Sequence, residues 1–127
     1  MWMWESILFN FDEFEKWVNE VLENEFPENT VAINFNLYEE AEKDKYAIQI
    51  TGTERFDEED WACYETFSSG ENLYVWLEEG DWEKALESAV NNLNRYLEQG
   101  ANSAILLKYN GVGVGFVDGD IEIIYRK

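Results

Sequence analysis

The chain has no histidine, one cysteine, one proline and only nine lysines and arginines, and each shortage removes a class of function. Without histidine the common zinc patterns are unavailable. The lone Cys63 cannot close an internal disulfide, has no histidine to activate it, and sits between Ala62 and Tyr64 in an expected strand, so it reads as a buried structural thiol. Cations are scarce against 28 Asp+Glu, leaving a formal net charge of -19. Such an excess repels nucleic acid, phosphorylated ligands and anionic membranes and attracts basic partners. No stretch approaches the roughly 20 apolar residues of a membrane span. Met1 to Phe9 has no Lys or Arg and carries Glu5, so a secretory signal is not expected and the expected location is the cytoplasm.

What the chain does contain is a core. Hydrophobic residues make up 46% and aromatic residues 17% of the 127 positions, a composition that disordered acidic segments lack. The length suits one domain over residues 1–127, and folding without metal, disulfide or cofactor is expected.

Asn10 precedes Phe11, Phe14, Trp17, Val18, Val21 and Leu22, apolar residues at three- and four-residue steps, with Glu13 placed to complete a capping box. This predicts an amphipathic helix that ends before Pro27. The period then changes to two. Val31, Ile33, Phe35 and Leu37 alternate with Ala32, Asn34 and Asn36, and Tyr46, Ile48 and Ile50 repeat the alternation beyond a charged turn from Glu39 to Lys45. Two antiparallel strands with one wet face follow. Trp61 to Phe67 reads as a strand, and Leu73 to Leu77 as a short strand or a packed irregular segment. Asp81 then caps a second helix striped by Trp82, Ala85, Leu86, Ala89, Val90, Leu93, Tyr96 and Leu97 and stopped at Gly100. Ile105 to Leu107 fits either helix or strand. Asp118-Gly119 suggests a two-residue type I′ hairpin, and counting outward sets Phe116 against Ile121, Val114 against Ile123 and Val112 against Tyr125, one buried face. The fold class expected is α+β: one domain, an antiparallel β-sheet with two main helices packed on it.

Several motifs invite chemistry and then lack its context. Val112-Gly113-Val114-Gly115 is glycine-rich but leads into a strand instead of a helix, so it is no phosphate cradle; small residues there let a backbone or a tryptophan approach the sheet. Asp118, Asp120 and Glu122 lack the spacing of a calcium loop and read as a solvated hairpin tip. The expectation is a protein that is not an enzyme.

The acids gather in runs bordered by aromatics. Glu39, Glu40, Glu42 and Asp44 lie between Tyr38 and Tyr46; Asp57, Glu58, Glu59 and Asp60 between Phe56 and Trp61; Glu78, Glu79, Asp81 and Glu83 around Trp76 and Trp82. Tight interfaces combine aromatic anchors, which limit dissociation, with complementary charge, which speeds encounter. The partner-binding residues expected are therefore Asp57, Glu58, Glu59 and Asp60, a second patch of Glu78, Glu79 and Asp81, and Trp61 and Trp76 as anchors.

Asp60-Trp61-Ala62-Cys63, the helix start Asp81-Trp82-Glu83, the end Tyr96 to Gly100, and Gly113 to Asp120 followed by Ile121 to Tyr125 are similar to small bacterial proteins grouped with immunity proteins of polymorphic toxin and contact-dependent growth inhibition systems. The resemblance covers approximately the last two thirds of the chain. It implies a cytosolic antidote that occupies a basic toxin domain, of which a nuclease is one fitting class, with no cofactor and no turnover, and it transfers no functional residues. Two rival readings share the composition: an acidic mimic of nucleic acid, which needs carboxylates at phosphate-like spacing, and a carboxylate-based enzyme, which needs a pocket where acids converge. The oligomeric state is left open.

Overall fold

Asn10 opens the first helix as its sequence requires. Its backbone is extended and its side chain accepts a hydrogen bond from the Glu13 amide at 3.1 Å, satisfying one of the orphan donors of α1, Phe11–Leu22. The other half of the expected capping box is replaced by a tertiary contact, because the Asn10 amide donates to the Tyr74 hydroxyl at 3.0 Å. Residues 8–56 and 59–127 are described in this structure, a computed structural model.

β1, Ala32–Glu39, and β2, Lys45–Thr53, pair antiparallel with Phe35 opposite Ile50 and Leu37 opposite Ile48. β3, Glu65–Ser68, and β4, Tyr74–Leu77, follow one another along the outer edge of β2. α2, Trp82–Gln99, and the short α3, Ser103–Leu107, lead to β5, Gly111–Phe116, and the edge strand β6, Glu122–Arg126. The protein is α+β with a mostly antiparallel sheet, as its patterning predicts. β5 departs from that pattern: it lies parallel to β1, with Ile33 beside Val112 and Leu37 beside Phe116. A hairpin cannot make a parallel pair; α2 and α3 supply the crossover.

One sheet face carries Ile33, Phe35, Leu37, Ile48, Ile50, Val112, Val114 and Phe116 into a single core with Phe14, Val18 and Val21 of α1 and Ala85, Ala89 and Leu93 of α2. The alanines let α2 lie close to its neighbours. The second face of β1 was expected to be wet, yet Ala32, Asn34 and Asn36 are all buried, as are Thr51 and Thr53 of β2. The segment expected to be a strand from Trp61 covers it. Trp61–Cys63 is a single 3-10 turn entered through Asp60 in the left-handed region, and the turn sets Trp61 over Gly113. A Cβ there would lie 2.8 Å from Trp61 Cζ2, from Ile121 Cγ2 and from Asn34 Oδ1. Gly111 and Gly113 of β5 are thus the flat floor on which an aromatic lid rests, and Phe56 packs edge-on to Trp61 at 5.1 Å over Gly111. The same turn leaves Cys63 exposed, correcting the expectation of a buried thiol.

The last hairpin also departs from counting. Val112 does face Tyr125, but Gly113 faces Ile123 and Val114 faces Glu122, with a bulge between. Neither Asp118 nor Gly119 has a positive φ, so the turn is not type I′; the Gly119 amide instead closes on the Phe116 carbonyl at 3.0 Å.

Two consequences are measurable. Gly113→Ala should destabilise by about 1–3 kcal/mol through overpacking, whereas Gly119→Ala, with negative φ and its nearest neighbours 3.7 Å from the new Cβ, should be neutral or mildly stabilising. Denaturant midpoints in the reverse order would move both the lid and the turn. Second, burial pushes the Tyr96 hydroxyl up to about 12; its hydrogen bond with the Asn102 amide opposes this and Glu15 adds to it. The folded value is raised, so the unfolded chain loses its proton first. The stability that neutral Tyr96 confers is complete below about pH 10 and should fall by about 2 kcal/mol as pH climbs toward 12. Tyr96→Phe, which also removes the 2.5 Å bond to Asn19 Oδ1, should flatten that slope in unfolding curves taken between those pH values.

Candidate partner-binding surface

Strand direction decides where the acids collect. β1 and β5 run parallel and β2 and β6 run against them. The end of β1, the start of β2, the turn after β5 and the start of β6 therefore share one end of the sheet. β4 adds the next run: Leu77 pairs with Lys45, and the Glu78 amide donates to the Asp44 carbonyl at 2.8 Å, bringing Glu78 to Asp81 beside Glu42 and Asp44. Val117 donates its amide to the Leu37 carbonyl at 3.1 Å, which lands the hairpin tip beside Glu39.

Trp82 stands at the centre. It follows Asp81, whose carboxylate caps α2 by accepting from the Lys84 amide at 3.3 Å, and its ring is 49% exposed. The indole meets Phe116 edge-on at 6.1 Å and 90°. On one side lies a groove of about 510 Å³ lined by Trp82, Leu86, Phe116 and Ile121 with the carboxylates of Glu39, Asp118, Asp120 and Glu122. On the other, a cleft of about 430 Å³ runs past Glu40, Glu42, Asp44, Tyr46 and Asp81, with Lys43 and Lys45 among them. Glu39 and Trp82 line both. Burial first, and then Glu39, Asp44, Asp81 and Glu78, hold the Tyr46 hydroxyl above its usual range, a local sign of the negative potential here. Only Lys45 with Glu42, at 2.8 Å, forms an ion pair among the described residues.

The expected binding residues divide. Asp57 and Glu58 lie outside the described residues. Glu59 and Asp60 are exposed on the turn that leads to Trp61. Glu79 and Asp81 are exposed, the latter engaged as a helix cap. Glu78 is half-buried and its carboxylate accepts from the Trp76 indole N–H at 3.1 Å, an internal duty. The anchors need correction. Trp76 is 0% and Trp61 5% exposed, the first enclosed by Phe9, Tyr46 and Tyr74 and the second lying on Gly113. Neither ring is available to a partner in the folded chain. Among the described residues the exposed rings are Tyr64 and Trp82; the one set among these acids is Trp82, which periodicity assigned to the buried stripe, and the hairpin acids join it through topology alone.

The opposite end of the sheet gathers three cations beside Glu54. Arg55, Arg126 and Lys127 line a recess there with Phe56, Asn110, Val31 and Glu54, and the guanidinium of Arg55 lies over Tyr64 at 4.2 Å and that of Arg126 over Phe56 at 5.2 Å. Among the described residues, no three His, Cys, Asp or Glu side chains are grouped to hold a metal ion, and no helix is long and apolar enough to cross a membrane. No family model, curated protein or solved structure matches the chain.

Crowding of like charge at one end should show in stability. Salt screens repulsion between exposed carboxylates, so the melting temperature should rise by about 4 °C or more between ~0.02 and ~0.5 M NaCl. Asp120→Asn with Glu122→Gln should raise the low-salt value and shrink the rise. A melting temperature that falls with salt would mean that the acids are net stabilising in the free protein.

Proposed function

We propose that the protein is a stoichiometric inhibitor of the immunity type, which binds a basic toxin domain in the cytoplasm and covers its working face without catalysis. The observation that carries this reading is the exposed Trp82 beside the carboxylates of Glu39, Asp118, Asp120 and Glu122, none of which has an ion-pair partner among the described residues. Free-standing charge of one sign accelerates capture of an opposite surface, while an exposed aromatic ring contributes to holding it. The way cations interrupt the acids also supports a protein partner over mimicry of nucleic acid. A mimic presents a long ladder of negative groups, whereas here Lys43 and Lys45 break the acids of one cleft and Arg55, Arg126 and Lys127 gather at the far end of the sheet.

Occupation has recognisable arithmetic. Coexpression with a basic domain encoded by the neighbouring reading frame should yield a complex of equal protomers, with protection tracking the amount of this chain. Association should slow about tenfold or more from ~0.05 to ~0.5 M salt, and neutralising Glu39, Asp118, Asp120 and Glu122 together should flatten that dependence. Each of these charges alone should matter little, since an exposed charge pair is worth at most about 1 kcal/mol. Silencing of excess toxin by trace protein, or a neighbourhood without any basic domain, would overturn the proposal.

A further inference from the structure

The groove between α2 and the β5–β6 turn is more selective than a charged surface needs to be. Its floor is Leu86 and Phe116, one wall is the exposed Trp82 ring, and the rim carries Glu39, Asp120 and Glu122. Among the described residues no cationic side chain lines it, and none of the three rim acids has an ion-pair partner. An apolar or anionic guest would desolvate those carboxylates with nothing in return. A hydrated metal ion would leave the apolar floor unused.

We propose that this groove receives one arginine side chain from an exposed segment of the basic partner, an inference that rests on the basic-partner reading. Three properties of arginine match three parts of the groove. Its methylene stem covers Leu86 and Phe116. Its planar guanidinium lies against the indole of Trp82, where stacking adds to cation–π attraction. Its fork of N–H donors spans two carboxylate acceptors of the rim. Lysine shares the stem and the charge, but its compact, strongly hydrated ammonium neither stacks nor forks. The volume of about 510 Å³ admits the side chain with its flanking backbone at the mouth.

The test uses the isotope-labelled full chain and three blocked tripeptides, acetyl-Gly-X-Gly-amide with X arginine, lysine or citrulline, the last matching arginine in shape without its charge. Backbone amides of residues 116–122 and the Trp82 indole N–H should move and saturate with the arginine peptide. It should bind about threefold or more tighter than lysine and about tenfold or more tighter than citrulline. Trp82→Ala should weaken the arginine peptide about tenfold or more. Should that variant misfold, Asp120→Asn with Glu122→Gln should bring arginine down to the citrulline level. Citrulline equal to arginine, lysine equal to arginine, or shifts spread over the acidic runs and indifferent to Trp82 would each remove the arginine socket. Those results leave the basic-partner reading standing, since that reading is tested by salt-dependent capture of a whole basic domain. Arginine binding in the groove without such capture would instead retire the reading and keep the socket.

Discussion

The parallel ladder between β1 and β5 is the constraint on which the rest depends. Six residues of each strand run side by side from Ala32 with Gly111 to Leu37 with Phe116, and direction matters more than contact area. Had β5 run antiparallel to β1, the turn after Phe116 would have emerged at the far end, beside Arg55. Parallel pairing requires a long crossover, which α2 and α3 provide, and the same crossover brings the first turn of α2 to the end where β1 finishes. Charge concentration and aromatic exposure are thus one topological event.

The two sheet faces solve different packing problems. Toward the helices, Phe35, Leu37, Ile48 and Val114 fill space with apolar volume. Away from them, small and polar residues keep the sheet flat, and the Thr51 hydroxyl donates to the Asn34 carbonyl at 3.3 Å while Asn34 donates through its amide to Asn36. Buried side-chain polarity of this sort is tolerated when its donors are used locally. The lid segment bearing Phe56 and Trp61 then needs glycine beneath it, and an alternation of glycine with valine in β5 serves both faces at once.

Local patterning made much of this legible. The caps Asn10 and Asp81, the stripes of α1 and α2, and the β1–β2 alternation are signals within a few residues, and all form. What failed was non-local or degenerate. Parallel pairing of β1 with β5 leaves no mark in either strand. Periodicity placed Trp82 on the same side of α2 as Ala85 and Ala89, but period fixes a side of the helix and says nothing of how far along its axis the core extends. Trp76 reads as a ring beside acids in sequence, while the pairing of β4 with β2 turns it inward. The bulge near Gly113 escaped because Ile121, Ile123 and Ile124 are apolar alike, so slipping the register by one residue leaves the hydrophobic pattern almost unchanged. The candidate surface was therefore half visible: the acids were plain, their convergence on Trp82 was not.

The recess of Arg55, Arg126 and Lys127 at the far end is a patch of opposite sign on a chain whose net charge is -19. Glu54 lines the same recess, and Glu59 and Asp60 are exposed on the loop beside it, so the cations there are locally offset, whereas no cation among the described residues lines the groove at Trp82. Such local differences in field are felt only within a Debye length of the surface, ~8–10 Å at moderate salt. Orientation is what ordinarily holds association well below the collision limit, and a surface of this kind sorts orientations late, when a partner is already nearly in contact, while the net charge acts from farther away.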